Sequence, residues 1–158
     1  MASRKRVHHT RIEDLRAIYG AVVDLVGIMN RPQRDARMID EAGISLDRAL
    51  FPLLVGIGRF GPIGVVDLAD RVGRDYTTVS RQVAKLESLG LVTRQAARAD
   101  KRVREAAITG KGRQMTKAID IARDRILTAT LADWPAEEIA TLARLMRQLA
   151  DRALAAGA

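Results

Sequence analysis

The 158-residue sequence contains no cysteine, which excludes structural disulfides and thiol-based redox sensing. Histidine occurs only twice, as the adjacent His8 and His9, and no cluster of Asp or Glu lies beside them at ligand spacing, so no metal site is expected. There is no G-x-S-x-G, no phosphate loop and no metal-ligand spacing. Ser80 or Asp75 could be drafted into catalysis only without a base partner. The expectation is therefore no catalytic residue, no cofactor and no enzyme activity. The single tryptophan, Trp134, reads as a hinge or packing anchor in preference to a ligand-stacking residue. No apolar run approaches the roughly 18 residues of a transmembrane helix, and the N-terminus lacks the apolar core of a signal peptide. A cytoplasmic protein with no membrane partner is expected.

What the chain does have is a 47% hydrophobic content, which argues against disorder, and a net charge of +8. Its pI near 10.7 points to an anionic partner. Nucleic acid is the commonest such partner, although a membrane surface or a ribosomal site would also fit a basic balance. The length suits one domain, or one compact lobe plus a helical lobe, and is enough to bury a core.

The stretch from Gly61 to Thr109 organises the rest. A helix is expected from Tyr76 to Leu89, with Val79, Val83 and Leu86 on one side and Thr77, Arg81 and Ser88 nearly opposite, flanked by Thr78, Ser80 and Lys85. Asp75 can cap its first turn. Ahead of it, Val65, Leu68, Ala69 and Val72 mark a second short amphipathic helix, ended by Gly73. Gly90 closes the longer helix, Leu91 to Arg94 then reads as a strand, and Val103 to Ile108 reads as a returning strand. A helix-turn-helix with a hairpin attached is a winged helix, whose second helix enters a major groove while the hairpin lies along the backbone or reaches the minor groove. From Arg71 to Arg104 there are nine basic residues against three acidic ones, a net +6 of the chain's +8.

These residues resemble the winged helix of the multiple antibiotic resistance regulator (MarR) family. The resemblance is carried by Gly61-Pro62, Asp67-Leu68-Ala69, Thr78 to Val83 and Leu86 to Val92, then by Asp100-Lys101-Arg102, Ile108-Thr109 and Gly112. It extends over most of the chain, and the order and spacing of the motifs are more specific than any one of them. Two departures stand out: Gly64 occupies the place where the family usually has a Ser or Thr cap, and Pro52 interrupts the preceding helix. The resemblance implies a mainly α fold with a small β-wing, in which a winged helix-turn-helix is flanked by N- and C-terminal dimerisation helices.

The remaining segments fit that plan. Residues 1–9 read as a mobile basic arm, either a solvated tail or an extra phosphate contact. Residues 10–44 read as an N-terminal dimerisation helix and connector. Thr10 and Glu13 form a capping box, and Ile12, Leu15, Tyr19, Val22, Val26 and Met29 recur at helical spacing until Asn30 and Pro32. The winged helix-turn-helix is assigned to residues 45–109, with Ser45 capping a helix from Leu46 to Arg59. Pro52, too deep for the first turn, should bend it. Ile63 adds a short third strand. Residues 110–158 hold two further helices, the first capped by Thr109 and the second carrying a seam of Ile139, Leu142, Met146, Leu149 and Ala153. Such seams pack either inside a subunit or against a second chain. Their total exceeds what one small lobe needs, which favours a homodimer.

Phosphates supply affinity and register, and base edges supply specificity. Arg81 can donate bidentately to guanine, and Thr77 or Thr78 can hydrogen-bond a base or touch a thymine methyl. Ser80, Lys85, Arg94, Arg98, Lys101, Arg102 and Arg104 complete the expected contacts with double-stranded DNA. Arg102 is the candidate for the minor groove, and Arg94, Arg98 and Arg104 could equally form a solvated basic strand. The family pattern implies that Asp100 holds a tip arginine in place. It also implies a transcription factor, commonly a repressor, controlled by a small aromatic or anionic effector. Tyr19, Phe51, Leu54 and Met115 are the candidate pocket residues, with ordinary core packing as the other reading. A non-specific nucleic-acid-coating or architectural winged helix is the alternative function, and a winged helix used for protein contacts alone fits the basic face less well.

Overall fold

Val79, Val83 and Leu86 are completely removed from solvent, and the winged helix is assembled around them. The computed structural model describes residues 2–97 and 103–156, with side chains described for 11–97 and 103–156. The helices are α1 (Ala2–Met29), α2 (Pro32–Glu41), α3 (Phe51–Phe60), α4 (Val65–Val72), α5 (Tyr76–Ser88), α6 (Gly110–Thr130) and α7 (Ala136–Ala156). Three short strands, β1 (Ile63–Gly64), β2 (Val92–Ala96) and β3 (Arg104–Ile108), form an antiparallel sheet in the order β1-β3-β2. Ile63 pairs with Ala106, and Val92 with Ile108. The mainly α fold with a small wing, including the third strand at Ile63, is as expected.

The core joins Leu50, Leu53, Leu54 and Ile57 to Ile63, Leu68, the α5 face, Leu91, Val92 and Ala106. Burial of each large aliphatic side chain is worth roughly 1.5–3 kcal/mol, so apolar packing is the main force seating α5. Between α4 and α5 the chain turns at Gly73 in the left-handed region, φ 64°, and it leaves α5 through Gly90 at φ 71°, conformations that disfavour a side chain. Gly64 precedes α4 with no side-chain cap, in keeping with its departure from the family pattern.

Two expectations at helix starts are corrected. The helix containing Pro52 does not begin at Leu46; residues 48–50 form a turn, α3 starts at Phe51, and Pro52 lies in its first turn. There the missing N–H has no intrahelical partner to lose, so proline fits without the bend expected of it. Leu50, and not Ser45, stands at the N-cap of α3, with no side-chain cap hydrogen bond. Likewise α1 runs back to Ala2, so residues read as an arm continue the helix, and Thr10 lies inside it instead of opening it.

The chain divides into two compact units, Met1–Ile119 and Asp120–Ala158. In the first, every residue of α1 from Arg11 to Met29 is exposed, including Leu15, Tyr19, Val22 and Val26. In the second, α7 has no buried residue and exposes Leu145, Met146, Leu149 and Leu154, while Trp134 is 45% exposed. No helix among the described residues is long and apolar enough to cross a membrane.

Candidate nucleic-acid interface

Asp75 starts α5 as its N-cap, and its carboxylate accepts the amide hydrogen of Thr78 at 2.8 Å. Hydrogen bonding to Thr78, by the side chain first and the backbone second, holds the Asp75 carboxyl below the usual carboxylate range, with the nearby Arg81 charge adding to the effect. The capped helix then displays Thr77, Arg81 and Lys85 in the open, with Thr78 and Ser80 half-buried beside them. The division of α5 into a sealed apolar side and a polar outer side is as the periodicity predicts. Arg104, at the start of β3, is also exposed.

Arg94 is placed otherwise. From β2 its guanidinium turns toward α5, where Nη2 donates to the Ser80 carbonyl oxygen at 3.2 Å and Nε lies 3.5 Å from the Glu87 carboxylate. That second approach is an ion pair without hydrogen-bond geometry, since Nε has no hydrogen-bond partner among the described residues. Arg94 thus holds the root of the wing to α5. Arg98, Lys101 and Arg102, and the expected wing support Asp100, lie outside the described residues.

Two other arginines counted in the basic stretch are also engaged within the chain. Arg74, in the turn before α5, donates from Nη1 to the Ala49 carbonyl oxygen at 2.8 Å and to the Gln82 side-chain oxygen at 3.0 Å. Arg71 stacks its guanidinium 4.3 Å from the centre of the Phe60 ring, with Arg59 at 5.2 Å. Sequence reasoning missed the roles of Arg74 and Gln82. The available signal was the position of Gln82, on the flank between the outer and buried sides of α5.

Beside α5 runs an open groove of about 580 Å³, lined on one side by Thr78, Arg81, Gln82 and Lys85 and on the other by Ser45, Leu46, Asp47, Ala49 and Leu50. The residues expected to form an effector pocket are elsewhere. Leu54 is fully buried and Phe51 is 5% exposed, Met115 packs against the core, and Tyr19 is 72% exposed on α1. Leu54 and Met115 belong to the packing of the winged helix, and the structure does not gather the four around the groove.

The wing is tied to the helix that follows. Thr109 donates from its hydroxyl to the carbonyl oxygen of Gly90 at 2.7 Å, with that of Leu91 at 3.0 Å, and accepts the amide hydrogen of Gly112 at 3.1 Å. Lys111 donates to the Leu89 carbonyl oxygen at 2.9 Å. The last carbonyls of α5, those of Lys85, Leu86 and Glu87, accept from the amides of Leu89, Leu91 and Gly90, and the residues that open α6 bond the carbonyls of the segment that follows, Leu89 to Leu91.

Comparison with known proteins agrees with this architecture. The MarR family model matches residues 46–103. The HTH-type transcriptional regulator YxaD of Bacillus subtilis (strain 168) is 32% identical over 105 residues, covering 66% of this chain and 73% of the relative. Among solved structures, a MarR family protein from Bacillus stearothermophilus aligns with a TM-score of 0.70 at 22% identity, over 90% of this chain and 97% of that one. CouR from Rhodococcus jostii RHA1, solved bound to p-coumaroyl-CoA, aligns with a TM-score of 0.59 at 20% identity, over 84% of this chain and 91% of its own. With its capped recognition helix, three-stranded wing and these relatives, the chain belongs to the MarR family of winged-helix transcriptional regulators.

Proposed function

We propose that the protein is a sequence-specific repressor that binds a pseudo-palindromic duplex as a homodimer. The observation that carries the reading is the two-sidedness of α5: its apolar side is sealed in the core, while Thr77, Arg81 and Lys85 stand in the open. A helix presented this way fits a major groove, where a guanidinium reads guanine and hydroxyls meet neighbouring base edges or phosphates. Thr78, Ser80 and Arg104 supply further contacts, and the resemblance to the family adds Arg98, Lys101 and Arg102, which lie outside the described residues. Arg94 is withdrawn from this set, because its guanidinium is directed at Ser80 and Glu87.

Dimerisation is supported by the uncovered apolar surface of α1 and by that of α7. A two-fold pair of subunits requires half-sites about one helical turn apart. Control by a small aromatic or anionic molecule is supported by the likeness to CouR, which was solved with p-coumaroyl-CoA. The groove beside α5 is a second candidate place for such control beside Tyr19, Phe51, Leu54 and Met115, since a molecule there would lie against Arg81 and Lys85.

The decisive experiment is selection of bound fragments from sheared genomic DNA at physiological salt, followed by competition against random duplex. A regulator enriches a small set of fragments with a shared inverted repeat and holds them against random competitor. Even coverage, with affinity that collapses equally on every duplex as salt rises, would instead identify a non-specific coating protein.

A further inference from the structure

Apolar contacts are non-directional, so the buried side of α5 decides which side of the helix faces out but resists small rotations about its own axis less sharply than hydrogen bonds of fixed geometry do. At about 100° per residue, Gln82 lies on one flank of Arg81, and Ser80 and Glu87 lie on the other. Arg74 engages the first flank through Gln82 and anchors it to the Ala49 carbonyl. Arg94 engages the second through the Ser80 carbonyl, with Glu87 at 3.5 Å. We propose that Arg74 and Arg94 are opposed struts that set the rotation of the recognition helix, and that both are positioning residues for base reading by Arg81.

The chemistry suits such a task. Nη1 of Arg74 carries two hydrogens and meets two acceptors, one on the loop before α3 and one on α5, so the planar guanidinium fixes both distance and angle. Only the oxygen of the Gln82 amide can accept from it, which turns the Gln82 amino group away from Arg74. Burial raises the pKa of Asp35 on α2, and the charges of Arg34, Arg74 and Arg48 oppose the rise, so this carboxylate adds an attraction on the Arg74 side. On the other flank, Arg94 grips a main-chain oxygen and so holds the helix itself. Small rotations of α5 would swing Arg81 along the groove floor, and base-specific geometry tolerates little of that.

This inference rests on the DNA-reading proposal. Its test uses the full-length protein, the duplex that the wild type enriches from a random-sequence library, and a random duplex of equal length. Arg74→Lys and Arg94→Lys keep the charge and remove the planar fork. Each is expected to weaken the enriched duplex by about fivefold or more, with the random duplex within about twofold of wild type and the salt slope unchanged. Gln82→Ala should reproduce the Arg74→Lys loss and leave no further loss in the double variant. Thermal unfolding of every variant verifies that each is folded at the assay temperature, and Gln82→Ala stands in if Arg74→Lys is not.

Wild-type affinity in both lysine variants would overturn the inference, because charge alone would then suffice. Additive losses for Arg74→Lys and Gln82→Ala would also overturn it. Failure of the wild type to enrich any duplex would remove the DNA-reading proposal itself, and this inference with it.

Discussion

The hydroxyl of Thr109 spans the end of the recognition helix and the start of α6, donating to the carbonyl oxygen of Gly90 at 2.7 Å while accepting the Gly112 amide hydrogen at 3.1 Å. One side chain thus ties the segment leaving α5 to the first turn of α6. Thr109→Val preserves shape and removes both bonds together with the 3.0 Å contact to the Leu91 carbonyl oxygen. The expected cost is about 1–2 kcal/mol, the range for loss of a helix cap together with a carbonyl left short of a donor. Urea unfolding followed by circular dichroism measures it, and an unchanged midpoint would exclude a structural role for the hydroxyl.

Gly112 gives a sharper steric case at the same junction. A Cβ built there collides with the carbonyl oxygen of Leu91 and crowds Ile108 Cγ1 at 2.7 Å. The colliding atom is backbone within the packed wing root and cannot turn aside as the end of a flexible side chain could. Gly112→Ala is expected to destabilise the fold by about 2 kcal/mol or more. Gly110→Ala serves as control, since nothing lies within 4 Å of a Cβ at Gly110. Equal unfolding midpoints for the two variants would contradict the packing described.

The Asp75 cap predicts a pH dependence with a definite sign. Bonding to Thr78 lowers the folded-state pKa of Asp75 below its ordinary value, so ionised Asp75 favours the folded state. Its contribution is present above the unfolded-state pKa and is lost as pH falls through the folded-state pKa. Asp75→Ala should therefore be less stable than wild type at neutral pH, and the gap should narrow as acid protonates the cap. Thermal midpoints of both proteins from pH 7 down to about pH 3 test this against the ordinary aspartate range. A gap that stays constant across that range would rule out the carboxylate as its source.

The recognition helix was legible in the sequence because three independent signals agreed: a capping aspartate, a three-to-four apolar period and a terminal glycine. Val79, Val83 and Leu86 are the buried residues of α5, as that period requires. Pro52 was misread because the apolar period continues upstream through Leu46 and Leu50, and periodicity cannot tell a helix from a turn that packs on the same core. The extent of α1 was missed for the opposite reason, its first residues having too little apolar content to announce a helix. Charge counting overstates how much basic surface is free. Arg71, Arg74 and Arg94 all add to the net charge, yet each guanidinium is engaged within the chain, and partners distant in sequence such as Ala49 leave no local trace.

Arg81 should behave differently from those three. It is exposed beside the cap and projects from the outer side of α5. Arg81→Ala is expected to cost about 1–3 kcal/mol on an enriched duplex and to broaden sequence preference at one base position of each half-site. Random duplex should lose much less. Fluorescence anisotropy on both duplexes makes the comparison, and equal losses would reduce Arg81 to a phosphate contact.

The uncovered seam of α1 carries the last prediction. Val22 is 40% exposed and Val26 52% exposed, in a helix where every residue from Arg11 to Met29 is open to solvent. A glutamate at either place meets water in an isolated subunit and should disturb its fold little, whereas at a subunit contact it would bury an unpaired charge. Val22→Glu and Val26→Glu should therefore shift the protein in sedimentation velocity from a dimer toward the 17.3 kDa monomer. Their circular dichroism at high concentration should retain the winged-helix signal. Footprinting should then contract from two half-sites to weak protection of one, because each half-site alone forfeits the benefit of paired binding. Variants that remain dimeric would remove α1 from the subunit contact, and a monomeric wild type would remove the two-fold reading of the DNA altogether.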